Sequence, residues 1–259
     1  MNTAETFSNT KHKTILLGFF FGVLIFAGIF FLMRISDTVI SSPVTAPPVT
    51  KIPETKEITM TFVGDLMMHQ EQLQSGYDKT TKTYNFDFFF KSIKNVFTGK
   101  DIVFGNLETP IAGETLKYTG YPTFNAPEAY LESLSEAHFT HLSLANNHSL
   151  DRRAEGLKNT ILNVMKHGFV GVGARQNPTE KPWSLFEKNG LKIGFLAYTY
   201  ATNGFTLSKE NAHMLDYIDR EKIEKDISLL KLENPDLVVI SLHMGDEYKR
   251  TPNTQQVTL

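Results

Sequence analysis

Residues 138–173 read HFTHLSLANNHSLDRRAEGLKNTILNVMKHGFVGVG, and this stretch decides the fold class. Its apolar pattern predicts a strand over 138–147, a helix from about Asp151 to His167 and a short strand over 169–173. A strand, a helix and a second strand in this order are typical of an α/β domain.

The same alternation continues on both sides of this stretch. Asn189-Gly190 separates two apolar runs within 182–199 and predicts a type I′ hairpin, which adds an antiparallel pair and makes the sheet mixed. Further strands are predicted over 58–64, 101–108 and 236–245, and further helices over 127–137 and 218–233. One more helix is predicted over 86–97, with the buried face Phe86, Phe89, Phe90, Ile93 and Phe97.

Four of the apolar strands are followed by a potential metal ligand. They lead to Asp65, to Glu108, to Asn147-His148 and to His243. Side chains just beyond the carboxyl ends of parallel strands converge in one crevice, so these strands predict a shared polar site. Oxygen and imidazole ligands suit one or two divalent cations, and two cations bridged by a carboxylate favour phosphoryl-type displacement. Each residue alone also has an ordinary explanation, as a turn cap, a solvated loop residue or a hydrogen-bonded loop closure.

The composition narrows the classes of protein and of metal. The chain has 259 residues, no Cys, and a formal net charge of -2. The absence of Cys excludes disulfide scaffolds, zinc fingers, iron–sulfur clusters and a cysteine nucleophile. Any metal site must therefore use His, Asp, Glu or Asn ligands, which suit Mn, Zn, Fe or Mg. The net charge argues against a globally basic nucleic-acid binder, and we expect no nucleic-acid partner.

Residues 15–33 read ILLGFFFGVLIFAGIFFLM and contain no charged side chain. This run is long enough to cross a bilayer, and Lys11 and Lys13 precede it, which favours a cytoplasmic N-terminus. A cleaved signal peptide is the rival interpretation, although the run is longer than a usual signal core and lacks a clean cleavage site. A buried core helix is the third.

The expected organisation is therefore an anchor, a spacer and a globular domain. We assign 1–14 to a cytoplasmic N-terminus, 15–34 to a transmembrane anchor, 35–57 to a Pro/Ser/Thr-rich spacer and 58–259 to the domain. The expected location is the plasma membrane, with one span and the globular domain outside.

Four motifs in order carry a family resemblance. GDLMMH (64–69), GNLET (105–109), ANNHSLD (145–151) and SLHMGDEY (241–248) resemble the motif set of CapA-type poly-γ-glutamate capsule biosynthesis proteins. That family is similar to the calcineurin-like metallophosphatases, so the resemblance implies an α/β fold of layered mixed β-sheets flanked by helices.

The resemblance also implies roles for individual residues. Asp65, Asn147 and His243 would be metal ligands, Glu108 would bridge two metals, and His148 would be a catalytic general acid or phosphate-stabilising group. His69 is a further candidate ligand, although metallophosphatases place that histidine where this chain has Met67. Glu247 and Asp151 would contact these groups without contacting the metal itself.

At the C-terminus the chain departs from the pattern. The resemblance implies a later Gly-His-x-x-His type segment, and the sequence stops at Leu259 without one. We therefore expect a domain that is incomplete at its C-terminus and a site that is open on one side.

Two functional classes remain open. The first is a membrane-anchored metal-dependent hydrolase or transferase that acts outside the cell in capsular polymer synthesis. The second is a non-catalytic subunit that binds the acidic polymer or its precursor, or that serves as a scaffold for a membrane synthetase. In either class, Arg152 and Arg153 are candidates for holding a polyanion near the crevice.

Overall fold

The computed structural model describes residues 55–259. The predicted segments 1–14 and 15–34, and nearly all of the spacer 35–57, lie outside the described residues. Within residues 55–259, no helix combines the length and the apolar character that crossing a bilayer requires.

Nine strands and several helices can be assigned within the described range. The strands are β1 (Met60–Asp65), β2 (Tyr77–Asp78), β3 (Thr83–Tyr84), β4 (Ile102–Asn106), β5 (His141–Ser143), β6 (Val170–Val172), β7 (Ser184–Lys188), β8 (Leu191–Thr199) and β9 (Leu237–His243). The α-helices are α1 (Gln70–Ser75), α2 (Asp87–Phe90), α3 (Lys94–Phe97), α4 (Ala129–Glu136), α5 (Arg153–Lys166), α6 (Arg220–Lys231) and α7 (Thr254–Thr258).

The larger sheet is entirely parallel. Its strand order is β1-β4-β5-β6, and Asp65 at the end of β1 is the register partner of Asn106 at the end of β4. Every residue of β4 is buried, as expected for a parallel strand that is covered on both faces. The carboxyl ends of β1, β4 and β5 therefore meet at one edge.

The second sheet is mixed, with the order β7-β8-β9. β7 and β8 form the predicted hairpin, and Asn189 and Gly190 both have positive φ, as a type I′ turn requires. β9 runs parallel to β8 and pairs His243 with Thr199. The expectation of mixed sheets thus holds for this sheet, whereas the larger one is purely parallel.

The two sheets pack face to face in the centre of the domain. Phe104 of β4 stacks on Phe195 of β8 with ring centroids 5.9 Å apart. The outer face of the second sheet places Leu196 and Tyr198 against Leu230 of α6. Apolar residues of α4 and α5 join the main core, so the predicted α/β class with layered sheets and flanking helices is confirmed.

The segment 86–97 is not the single helix that the spacing predicts. It forms α2 and α3, joined by a turn, and Ile93 is the N-cap residue that precedes the second helix. Phe86, Phe90 and Phe97 are buried, but Ile93 is 44% exposed, so its predicted burial is wrong. The turn redirects the chain so that Phe97 reaches Phe139, with centroids 5.2 Å apart, and this moves Ile93 away from the core.

Candidate metal centre

The carboxyl ends of strands from both sheets border one open cleft with a volume of about 420 Å³. β1 ends at Asp65, β4 leads to Glu108, β5 leads to Asn147 and His148, and β9 ends at His243. All five of these side chains line the cleft, although they come from distant parts of the sequence. The parallel register brings the ends of β1, β4 and β5 to the same edge, and His243 of β9 reaches them from the second sheet.

Asp65, Glu108 and His243 form the centre of the cleft. Each offers one possible ligand atom, and these atoms lie within 4.8 Å of one another. His243 Nδ1 is 4.0 Å from Asp65 Oδ1, and His243 Nε2 is 3.8 Å from Glu108 Oε1. Two carboxylates and one imidazole at these separations form a donor set that suits a borderline or hard divalent cation.

Asn147 adds an amide oxygen beside the same imidazole. Its Oδ1 lies 2.8 Å from His243 Nε2, and its Nδ2 donates to Asn203 Oδ1 at 3.3 Å. The side-chain amide is therefore oriented with its oxygen toward the cluster.

His148 is paired with Asp151 behind the cluster. Its Nδ1 is 2.8 Å from Asp151 Oδ2, which also accepts the backbone N–H of Phe124 at 2.7 Å. The opposite nitrogen, Nε2, is 3.9 Å from Glu108 Oε1. The carboxylate holds the imidazole in one orientation.

The electrostatics of the cleft are dominated by acidic groups. Burial first, and then the negative charge of Asp65, raise the pKa of the Glu108 carboxyl to about 8. Burial lowers the pKa of His243, and the charge of Asp65 opposes that effect. Glu247 and Asp246 also line the cleft, and none of its lining residues within the described range is Lys or Arg.

Arg152 and Arg153 have other contacts. The Arg152 guanidinium donates to the carbonyl oxygens of Lys117 and Thr123, and Arg153 lies over the Phe205 ring at 3.5 Å. Neither lines the cleft. These contacts therefore do not place either guanidinium where it could hold a polyanion in the cleft.

His69 lies in the cleft wall but outside the three-residue cluster. Its ring stacks on Tyr121 with centroids 6.4 Å apart and meets the edge of Phe124 at 5.1 Å. The residue also precedes α1 as its N-terminal cap. Its surroundings are those of an aromatic wall rather than of a ligand.

Sequence reasoning missed the contribution of Asn106 to the site. The Nδ2 of Asn106 donates to Asp65 Oδ1 at 2.8 Å and lies 3.2 Å from His243 Nδ1. The repetition of a glycine and a short polar residue at two strand ends, Gly64-Asp65 and Gly105-Asn106, is a signal that could have found it.

Comparisons with known proteins agree with the family resemblance of the four sequence motifs. Residues 59–259 match the family model described as bacterial capsule synthesis protein PGA_cap. The capsule biosynthesis protein CapA of Bacillus anthracis is 32% identical over 215 residues, which cover 80% of this chain and 51% of the relative. The PGA biosynthesis protein CapA of Bacillus subtilis is 29% identical over 208 residues, which cover 77% of this chain and 52% of the relative.

Among solved structures, the NAD nucleotidase of Haemophilus influenzae is similar with a TM-score of 0.42 and 12% identity, covering 73% of this chain and 39% of that one. At this TM-score the likeness informs neither the fold nor the function. The chain spans about half the length of the curated relatives it matches. Since the family model covers most of the sequence, the chain belongs to the CapA-type family of bacterial capsule synthesis proteins, PGA_cap.

Proposed function

We propose that this protein is a membrane-anchored, extracytoplasmic component of poly-γ-glutamate or related capsular polymer synthesis, and that its cleft performs metal-dependent hydrolysis or transfer. The family membership and the names of the two Bacillus relatives support the role in polymer synthesis. The uncharged segment 15–33 supports the anchor, and the basic residues before it support an outward-facing domain.

The single observation that carries the chemistry is the cluster of Asp65, Glu108 and His243. Glu108 is buried at 5% exposure, and a buried carboxylate next to a second one is costly unless a positive charge offsets them. Protonation of Glu108, whose pKa is raised to about 8, is one compensation; because the lining of the cleft within the described residues holds no Lys or Arg, a bound cation is the other. The donor set therefore fits a divalent metal.

Glu108 and His243 would hold the metal, with Asn147 Oδ1 and Asp65 as neighbouring oxygen donors. A divalent cation at this point would supply Lewis-acid polarisation of a substrate oxygen. It would also offset the repulsion between this acidic cleft and a polyanionic substrate. The described lining contains no Lys or Arg that could do so.

His148 would be the proton carrier of the site. Asp151 accepts at Nδ1, which leaves Nε2 directed to the cleft side where Glu108 lies. A protonated imidazole that is oriented by Asp151 can release its Nε2 proton to a leaving group, and this is the role of a general acid. Substitution of His148 should therefore impair turnover without removing the metal.

The test compares three variants of the full chain in the membrane of a polymer-producing cell. His243→Ala should lose most bound metal and polymer output, because a ligand is removed. His148→Ala should retain the metal and lose output. His138→Asn is the matched control, since His138 is exposed, lies outside the cleft and has a positive φ that Asn tolerates.

Metal content is measured by mass spectrometry and polymer by its glutamate content after hydrolysis. Retained polymer output in both His243→Ala and His148→Ala would refute the catalytic proposal. That result would favour a polymer-binding or scaffold subunit of a membrane synthetase instead.

A further inference from the structure

The side-chain amide of Asn106 lies among the three groups of the metal cluster. Its Nδ2 is 2.8 Å from Asp65 Oδ1, 3.2 Å from His243 Nδ1 and 3.4 Å from Glu108 Oε2. Asn106 is 8% exposed, so water does not compete freely for these contacts. The nitrogen that carries both N–H groups of this amide thus lies between the Asp65 and Glu108 carboxylates and beside the His243 ring.

The orientation of this amide is fixed from behind. Asn106 Oδ1 accepts from Asn146 Nδ2 at 3.1 Å, and the same Asn146 nitrogen donates to the Leu107 carbonyl oxygen at 2.9 Å. A flipped Asn106 would place its oxygen against the Asp65 carboxylate and its N–H groups against those of Asn146. The amide must therefore present its N–H groups to the cluster.

The contacts of His243 divide the cluster into two sides. Nδ1 lies 3.2 Å from Asn106 Nδ2, and Nε2 lies 2.8 Å from Asn147 Oδ1. Glu108 is divided in the same way, with Oε2 toward Asn106 and Oε1 toward His243 Nε2. One side, near Asn147, holds oxygen and imidazole donors, whereas the other, near Asp65, is filled by the Asn106 amide.

We propose that the amide of Asn106 occupies the position of a second cation, so that the site binds one divalent ion, on the Asn147 side. The inference rests on the metal site of the proposed function. An N–H group carries a partial positive charge and points at the same acceptors that a cation would use. It satisfies Asp65 Oδ1 without a second cation.

The register of the larger sheet shows what would restore the second position. Asp65 and Asn106 are partners at the ends of β1 and β4. Asp is nearly isosteric with Asn but has no N–H group, so Asn106→Asp replaces the obstructing donor with a third carboxylate. The variant should admit a second ion between Asp65 and Glu108.

The experiment loads the full chain with Mn²⁺ alone and measures metal per chain by mass spectrometry after gel filtration. The wild type should hold about one ion and Asn106→Asp about two, as expected for a bridged pair. Electron paramagnetic resonance should show an isolated Mn²⁺ in the wild type and a magnetically coupled pair in the variant. Asn203→Asp is the control, because it adds the same charge beside Asn147 and leaves the Asn106 amide in place.

A control that retains one ion, together with the gain in Asn106→Asp, supports the inference. Two ions in the wild type would overturn it even if Asn106→Asp failed to fold, and so would one ion in a folded Asn106→Asp. Absence of metal from both the wild type and the variant would refute the metal site of the proposed function, and the inference with it. Gain of an ion in Asn203→Asp would mean that added charge alone is responsible, and this also overturns the role of the amide.

Discussion

Acid should destabilise this protein through one histidine of the core, His141 in β5. The side chain is 2% exposed, and its ring lies 4.9 Å from the ring of Phe195. Nδ1 is 2.9 Å from the Thr140 hydroxyl, and Nε2 has no hydrogen-bond partner among the described residues. A protonated imidazole would therefore be a buried charge without a partner.

Burial lowers the pKa of His141 from 6.5 to about 4. The unfolded chain thus binds a proton at this residue at higher pH than the native protein does. Its stabilisation is complete above pH 6.5 and is lost as the pH falls from 6.5 to about 4. At about 1.4 kcal/mol per pKa unit the full loss is about 3.5 kcal/mol, and about 2.5 kcal/mol of it is gone by about pH 4.5.

His141→Leu removes the titrating group and leaves an apolar side chain in the core. Urea unfolding of wild type and variant at about pH 7 and about pH 4.5 can be followed by the fluorescence of Trp183, the only tryptophan. Between these two pH values, the free energy of unfolding should fall by about 2–3 kcal/mol more in the wild type than in the variant. His213→Gln removes a partly exposed histidine and should respond to acid as the wild type does. An equal loss in His141→Leu and wild type would refute the reasoning, because it would mean that His141 is protonated in the native state at no cost.

Three further predictions concern the core, the site and the topology. Phe90→Ala should lower the free energy of unfolding by about 3–5 kcal/mol, whereas Ile93→Ala should change it by about 0.5 kcal/mol or less. Similar losses for the two variants in urea unfolding would contradict the burial of Phe90 and the exposure of Ile93. Asp151→Asn should leave metal content unchanged and lower any hydrolysis by about 100-fold, because the His148 imidazole loses the carboxylate that orients it; unchanged hydrolysis would exclude this coupling. Single cysteines can be introduced at Asn9 and Ser41 of this Cys-free chain and treated with an impermeant reagent on intact cells. The cysteine at position 41 should be labelled and the one at position 9 should not; the opposite result would contradict the proposed orientation.

Local sequence patterns were sufficient for most of the secondary structure. Asn189-Gly190 predicts its hairpin because few residue pairs other than these adopt two successive positive φ angles. The predicted helix from Asp151 to His167 corresponds to α5, which runs from Arg153 to Lys166. Strand ends were less accurate: 138–147 shortens to β5, because the pairing with β4 and β6 covers only its middle.

The segment 86–97 shows the limit of periodicity. The apolar spacing is the same in one continuous helix and in two short helices joined by a turn, so the pattern does not distinguish them. Contacts with Tyr130 and Phe139, more than thirty residues away, select the broken form. Those contacts are made only when α4 and β5 are in place, and this is why the exposure of Ile93 was not predictable.

By itself, the sequence determined which residues follow the strands, and therefore that Asp65, Glu108, Asn147 and His243 were candidates for one site. Chain-local rules are enough for that, because a strand end is defined by its own residues and turn. Only the tertiary structure determined the surroundings of these residues. In it, His69 packs against aromatic rings, and the amide of Asn106 lies between Asp65 and His243. The physical reason is that strand register and the packing of two sheets fix side-chain distances of a few ångströms between residues more than a hundred positions apart, and no local pattern encodes those distances.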